Sequence, residues 1–131
     1  MSARSKGSRN ELEVQKILES EGWTCHRAYP SMIKTGKRFF VRSNDIFQCF
    51  DICAKKKNEH TRWLQVAVGY KKAQKEDKIL QYDFFNEKDK VEIWLKTKVG
   101  KWEVFELDKK RKGFDKIYII ERGQKMVLEV K

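Results

Sequence analysis

NDIFQCFDICAKKKNEHTRWLQVAV, residues 44–68, decides how the rest of the chain is read. Two apolar runs, 50–54 and 63–68, flank a polar turn over 55–61, and the period of two within each run is that of a β-strand. In the first run Phe50, Ile52 and Ala54 share one face, and Asp51 and Cys53 the other. In the second, Leu64, Val66 and Val68 oppose Trp63, Gln65 and Ala67. An antiparallel hairpin of the two brings Asp51 beside Gln65. Aspartate is depleted in strand interiors, and a carboxylate leaving a buried strand costs free energy unless something pairs with it. Arg62 or Lys55 across the hairpin would be a structural partner, and a divalent metal a functional one.

Upstream, residues 1–7 are small and basic and are expected to be flexible. Ser8-Arg9-Asn10-Glu11 fits a capping box and predicts a helix that starts there, buries Val14, Ile17 and Leu18, and ends at Gly22. Residues 23–29 read as a first strand, stopped by Pro30. The segment SMIKTGKRFFVRS, 31–43, reads as a basic loop in which Lys34, Lys37, Arg38 and Arg42 surround Phe39 and Phe40. Such a mixture can hold phosphates and stack on bases. It is equally the pattern of a short amphipathic strand.

Downstream, residues 69–90 read as a helix packed through Ala73, Leu80 and Phe84, although Ile79, Tyr82 and Phe85 also need cover. Lys71, Lys72, Lys75 and Lys78 sit near its start, where they oppose the helix dipole and suit an external anion or solvent. Val91, Ile93 and Leu95 alternate, Val99-Gly100 turns the chain, and Trp102, Val104 and Leu107 mark a returning strand. After a charged loop at 108–113, residues 117–121 and 126–130 form a last hairpin around Arg122-Gly123. No internal repeat or linker interrupts the chain, so residues 1–131 read as a single domain. The order of elements predicts an α/β fold, a mixed central sheet flanked by helices.

Charge narrows the function. Thirty Lys and Arg against nineteen Asp and Glu give +11, a field that attracts polyanions, nucleic acid first among them. With 40% hydrophobic residues the chain is too apolar for a disordered tail. Cys25, Cys49 and Cys53 form no CxxC pair and fit a reducing compartment. Together with His26 they lack the spacing of a structural zinc site. His60 falls in the polar turn, and Asp45 reads as a turn or a strand end. Neither a signal peptide nor a membrane span is expected, so the predicted setting is cytoplasmic, not secreted and without a membrane partner.

Three segments in the first half of the chain resemble the PD-(D/E)xK nuclease superfamily, most closely its archaeal Holliday junction resolvases and related small phage and viral proteins. KGSRNELEVQKILESEGW is similar to the resolvase N-terminal helix, with Glu11 at the catalytic glutamate. CFDICAKK is similar to the strand that supplies the metal-binding aspartate, here Asp51. RWLQVAVGYKK is similar to the strand bearing the E-x-K signature, which becomes Gln65-Val66-Ala67. The resemblance implies a restriction-endonuclease-like sheet and a Mg²⁺- or Mn²⁺-dependent, structure-directed DNA endonuclease, in a cell or as a viral protein in the host cytoplasm. It also implies branched or double-stranded DNA as substrate, and a homodimer. Asp51 and Glu11 would ligate the metal, with Gln65 and the Val66 carbonyl as neutral ligands. Lys71 or Lys72 would stand in for the lysine replaced by Ala67. Arg9, Lys34, Lys37, Arg38, Arg42, Lys55, Lys75 and Lys78 would hold the nucleic-acid backbone. The two departures, Gln65 and Ala67, keep open an alternative: a catalytically weak or inactive nucleic-acid-binding protein on the same fold. A basic subunit that binds an acidic protein is a third.

Overall fold

The segment read as a strand at 63–68 becomes β5 (Thr61–Val68), and both faces of the molecule are built from it. The computed structural model describes residues 3–27, 31–35, 38–42, 50–82, 85–122 and 124–127, with side chains for all of these except 3–8, 31–35, 38–42 and 70. Ahead of β5 come α1 (Ala3–Ser20), β1 (Thr24–Arg27), β2 (Ser31–Thr35), β3 (Arg38–Arg42) and β4 (Ile52–Lys55). After it come a 3-10 turn (Gly69–Lys71), α2 (Lys72–Leu80), β6 (Asp89–Lys98), β7 (Lys101–Asp108), β8 (Gly113–Glu121) and β9 (Gln124–Val127). Seven strands form one sheet in the order β1-β4-β5-β6-β7-β8-β9. Every pairing in it is antiparallel except β5 with β6, which α2 connects as a crossover.

The alternation in β5 divides two cores. Leu64 joins Ile52, Ala54, Trp94, Trp102 and Val104 beneath Val14 and Leu18 of α1. Ala67 joins Phe50, Val91 and Ile93 beneath Ile79 of α2, with Trp63 packed alongside. Each face thus carries one helix among the described residues. Strand β6 lies between the two helices, and Val91, Glu92, Ile93 and Trp94 are buried in succession. That run is the expected pattern for a strand covered on both sides.

Several sequence expectations need correction, among them the last hairpin, whose first strand begins at Gly113 and not at 117. Helix α1 begins at Ala3, so Ser8 and Glu11 are interior positions rather than a cap, and residues 3–7 belong to the helix. Ala3, Arg4 and Lys6 favour helix, and one glycine, Gly7, costs only about 1 kcal/mol. The end of α1 is as expected: Gly22 takes φ +94, and the Trp23 N–H donates to the Leu18 carbonyl at 3.1 Å. Of the two readings of 31–43, strand prevails over loop: residues 31–35 and 38–42 pair as β2 on β3 in a separate two-stranded sheet, with Thr35 opposite Arg38. Five strands, not three, therefore separate the helices. Helix α2 is far shorter than 69–90, and its buried residue is Ile79, while Ala73 is exposed. Past it, the Asn86 side chain accepts from the Lys88 N–H and Asp89 from the Asn86 N–H, a local turn that competes with helix. Finally, Phe50 does not share a face with Ile52. The chain bends at Asp51, and Phe50 packs against Trp63 and Phe85 on the α2 side.

Candidate active site

Asp51 occupies the bend that opens β4. Its N–H donates to the Leu64 carbonyl at 2.9 Å, which extends the β4–β5 pairing by one residue and aims the carboxylate across at β5. Asp51 Oδ2 accepts from the Val66 N–H at 2.9 Å and from Gln65 Nε2 at 2.8 Å. The same Gln65 nitrogen donates to the Val66 carbonyl at 3.1 Å. Asp51 is 8% exposed and Gln65 2%. Charge-assisted bonds of this kind offset the desolvation of the carboxylate.

The donor set suits a hard cation. One carboxylate oxygen and one backbone carbonyl converge on a single point, which an amide nitrogen occupies. Turning the Gln65 amide over would exchange that nitrogen for Oε1 and bring a third oxygen to the same place. Oxygen ligands, at least one of them anionic, are what Mg²⁺ requires. Among the described residues no three His, Cys, Asp or Glu side chains gather to hold a metal. A site here would therefore combine Asp51 with amide and backbone oxygens.

The other expected residues are more scattered. Glu11 is half-buried on α1, which packs against β1, β4 and β5. Ala67 is 3% exposed among Phe50, Ile79 and Ile93, so a lysine is missing from an apolar position. Lys72 turns along its own helix: Nζ donates to Glu76 and lies 4.1 Å from the Phe105 ring centre. Lys71, Lys55, Lys78 and Arg9 are exposed, and Lys75 is half-buried. Lys34, Arg38 and Arg42 lie on the β2–β3 hairpin, with side chains outside the described set, and Lys37, Asp45 and Cys49 lie outside the described residues. Cys25 packs on the α1-side core, and burial, with the Glu19 charge, pushes its thiol up to about 11. Cys53 is raised likewise, chiefly by burial. Both are held as thiols and suit packing rather than nucleophilic work.

Arg62, a possible partner for Asp51 on sequence grounds, belongs elsewhere. It makes a two-pronged ion pair with Glu92, Nε to Oε2 at 2.7 Å and Nη2 to Oε1 at 2.6 Å, and Nη2 also donates to the Tyr118 hydroxyl at 2.6 Å. The Trp94 indole N–H donates to Glu92 Oε1 at 2.9 Å, and the guanidinium lies 4.9 Å from the Trp23 ring centre. Burial works against the Arg62 charge, but the hydrogen bonds and charge of Glu92 outweigh it and hold it above its ordinary value. Burial, with the Glu92 charge, pushes the Tyr118 phenol up as well. The sequence held the clue: Glu92 stands between Val91 and Ile93 just as Asp51 stands between Phe50 and Ile52.

Comparison of the chain with family models, with curated proteins and with solved structures yields no match. No helix of the described residues is long and apolar enough to cross a membrane.

Proposed function

We propose that the protein is a metal-dependent endonuclease acting on DNA, with a restriction-endonuclease-like core and a divergent site at Asp51, Gln65 and Val66. The observation that carries the reading is the convergence of Asp51 Oδ2 and the Val66 carbonyl on one nitrogen. The arrangement of α1, β1, β4, β5, α2 and β6, with its one parallel pair, supports it, and so does the +11 charge. Asp51 would supply the anionic ligand, Gln65 Oε1 and the Val66 carbonyl neutral ones, and Glu11 on α1 would be the second carboxylate. Mg²⁺ held there would activate a water and stabilise the leaving oxygen. Branched DNA, as cut by resolvases, is the first substrate to offer.

A second reading rests on the lysine. Ala67 is buried in apolar surroundings and Lys72 is engaged by Glu76 and Phe105, which favours a protein that binds nucleic acid without cutting it. Junction, flap and linear duplex DNA incubated with Mg²⁺ or Mn²⁺ separate the two. The endonuclease reading expects metal-dependent nicks that vanish in Asp51→Asn while binding persists. Cleavage that survives Asp51→Asn removes the site from consideration. Tight binding with no cleavage in either metal establishes the second reading.

A further inference from the structure

The excess positive charge is not spread evenly. Four strand lysines are paired: Lys96 with Glu13, Lys98 with Glu121, Lys116 with Glu103 and Lys125 with Glu21. Lysines with no ion pair among the described residues include Lys55, Lys56 and Lys57, at the end of β4 and in the turn before β5, and two groups nearer α2. One is Lys71, Lys75 and Lys78, which follow the 3-10 turn and α2. The other is Lys109, Lys110 and Lys112 in the loop between β7 and β8.

That loop is braced from beneath. The Asp108 carboxylate accepts from the backbone N–H groups of Lys110 and Arg111, at 3.0 and 3.1 Å, and the Lys112 N–H donates to the Asp108 carbonyl at 2.8 Å. Those amides, with the Arg111 charge, hold the Asp108 carboxyl below its ordinary value. Arg111 is exposed and pairs with Asp115 and Asp108. The three lysines are left on a stiff turn, one of them at φ +56, a left-handed conformation that favours glycine.

The loop lies beside the end of α2. A small cleft is lined by Leu80 and Tyr82 at the end of α2, by Phe85 and Leu107, and by Lys109 and Lys112. Strand register sets their direction. Val66 lies level with Trp94 and Val104, whereas Asp108 lies beyond Glu106, which is level with Glu92 and Leu64. Helix α2 starts at the Val66 end of β5 and returns toward the loop. From the Asp51–Gln65 cluster to the loop is roughly 15–20 Å across the sheet, or about five base steps of one DNA strand. Of the acids on α2, Glu76 is taken by Lys72, and Asp77 is about 200° round the helix from Lys75.

We infer that Lys71, Lys75 and Lys78 on α2 and Lys109, Lys110 and Lys112 in the β7–β8 loop form one track for the phosphate backbone of nucleic acid, leading away from the Asp51–Gln65 cluster. The inference rests on the nucleic-acid reading above. It adds a second anchor at the far end of the sheet, independent of whether the site cuts.

Fluorescence anisotropy with a labelled DNA duplex, titrated over a series of KCl concentrations, tests it. The variant combines Lys109→Gln, Lys110→Gln and Lys112→Gly, the last chosen because glycine relieves the φ +56 conformation and keeps the turn folded. Its affinity should fall at low salt, and the slope of log K against log salt should shrink by about two to three, near one per lost phosphate contact. Lys98→Gln with Lys125→Gln, which removes paired lysines, should change the slope much less per charge. Equal slope changes per charge in the two variants, or an unchanged slope in the loop variant, overturn the track. Failure of the unaltered protein to bind duplex at low salt overturns the nucleic-acid reading, and the track falls with it.

Discussion

Arg62 and Gln65 stand three residues apart on β5 and serve two buried carboxylates in opposite ways. On the α1 side, Glu92 receives a full counter-charge, two-pronged and closed off by Tyr118, Trp94 and Trp23. At the bend of β4, Asp51 receives a side-chain amide and a backbone N–H on one oxygen. A guanidinium completes its partner and leaves nothing for a ligand to do. An amide can turn over and hand its place to a cation. Two acidic residues with the same sequence context, each between large apolar neighbours, thus come to different ends. One is a closed ion pair and the other a hydrogen-bonded cluster, the one proposed above to take a cation.

The largest effect expected from breaking this contrast is in the ion pair. Glu92→Ala leaves a buried guanidinium without a counter-charge and should cost about 3–5 kcal/mol in urea unfolding. Arg62→Leu combined with Glu92→Leu should recover most of that. A loss under about 1 kcal/mol in the single variant would mean that water already solvates the pair. Asp51→Ala strands the Val66 N–H and takes one of two acceptors from the Gln65 amide, and should cost about 1–3 kcal/mol. Gln65→Glu sharpens the comparison from the other side. It sets two carboxylates together, so the variant should melt below the parent in EDTA and gain more on Mg²⁺ or Mn²⁺ addition than the parent gains. An equal metal response in both would remove residue 65 from the ligand set.

The smallest effect concerns Glu106, opposite Glu92 on the neighbouring strand. Burial, then the Glu92 charge, raises its carboxyl above the ordinary value of 4.5. The folded chain therefore holds this proton more tightly than the unfolded one. The stability it contributes is full below pH 4.5 and is lost as pH rises through the raised value. Glu106→Gln should lift the melting temperature slightly at neutral pH, and the gain should vanish below pH 4.5. A gain that persists in acid would place the cause elsewhere.

Much of the core was legible from periodicity. The two faces of β5 and the alternation of β6 and β7 follow from side chains that point to opposite sides of a strand. Gly22 ends α1 because a left-handed residue is needed there. What misled was local chemistry read without its surroundings. Ser8 and Glu11 make a plausible cap, but the residues before them also favour helix, and the longer helix prevails. Phe50 follows the alternation until the chain bends at Asp51, and its ring then joins Trp63 and Phe85. In α2 the choice between the Ala73 and Ile79 registers was settled by which face met Phe50, Val91 and Ile93.

By itself the sequence determined the class of the molecule: an α/β chain of high positive charge whose hairpin carries an acid at Asp51 and a neutral amide at Gln65. Those properties reside in residue types and spacings. Tertiary structure alone decided the partners. It gave Glu92 to Arg62 and Asp51 to Gln65, and brought the loop after β7 beside the end of α2. Pairing across strands depends on register and on the order of strands in the sheet, and neither is written in any single segment.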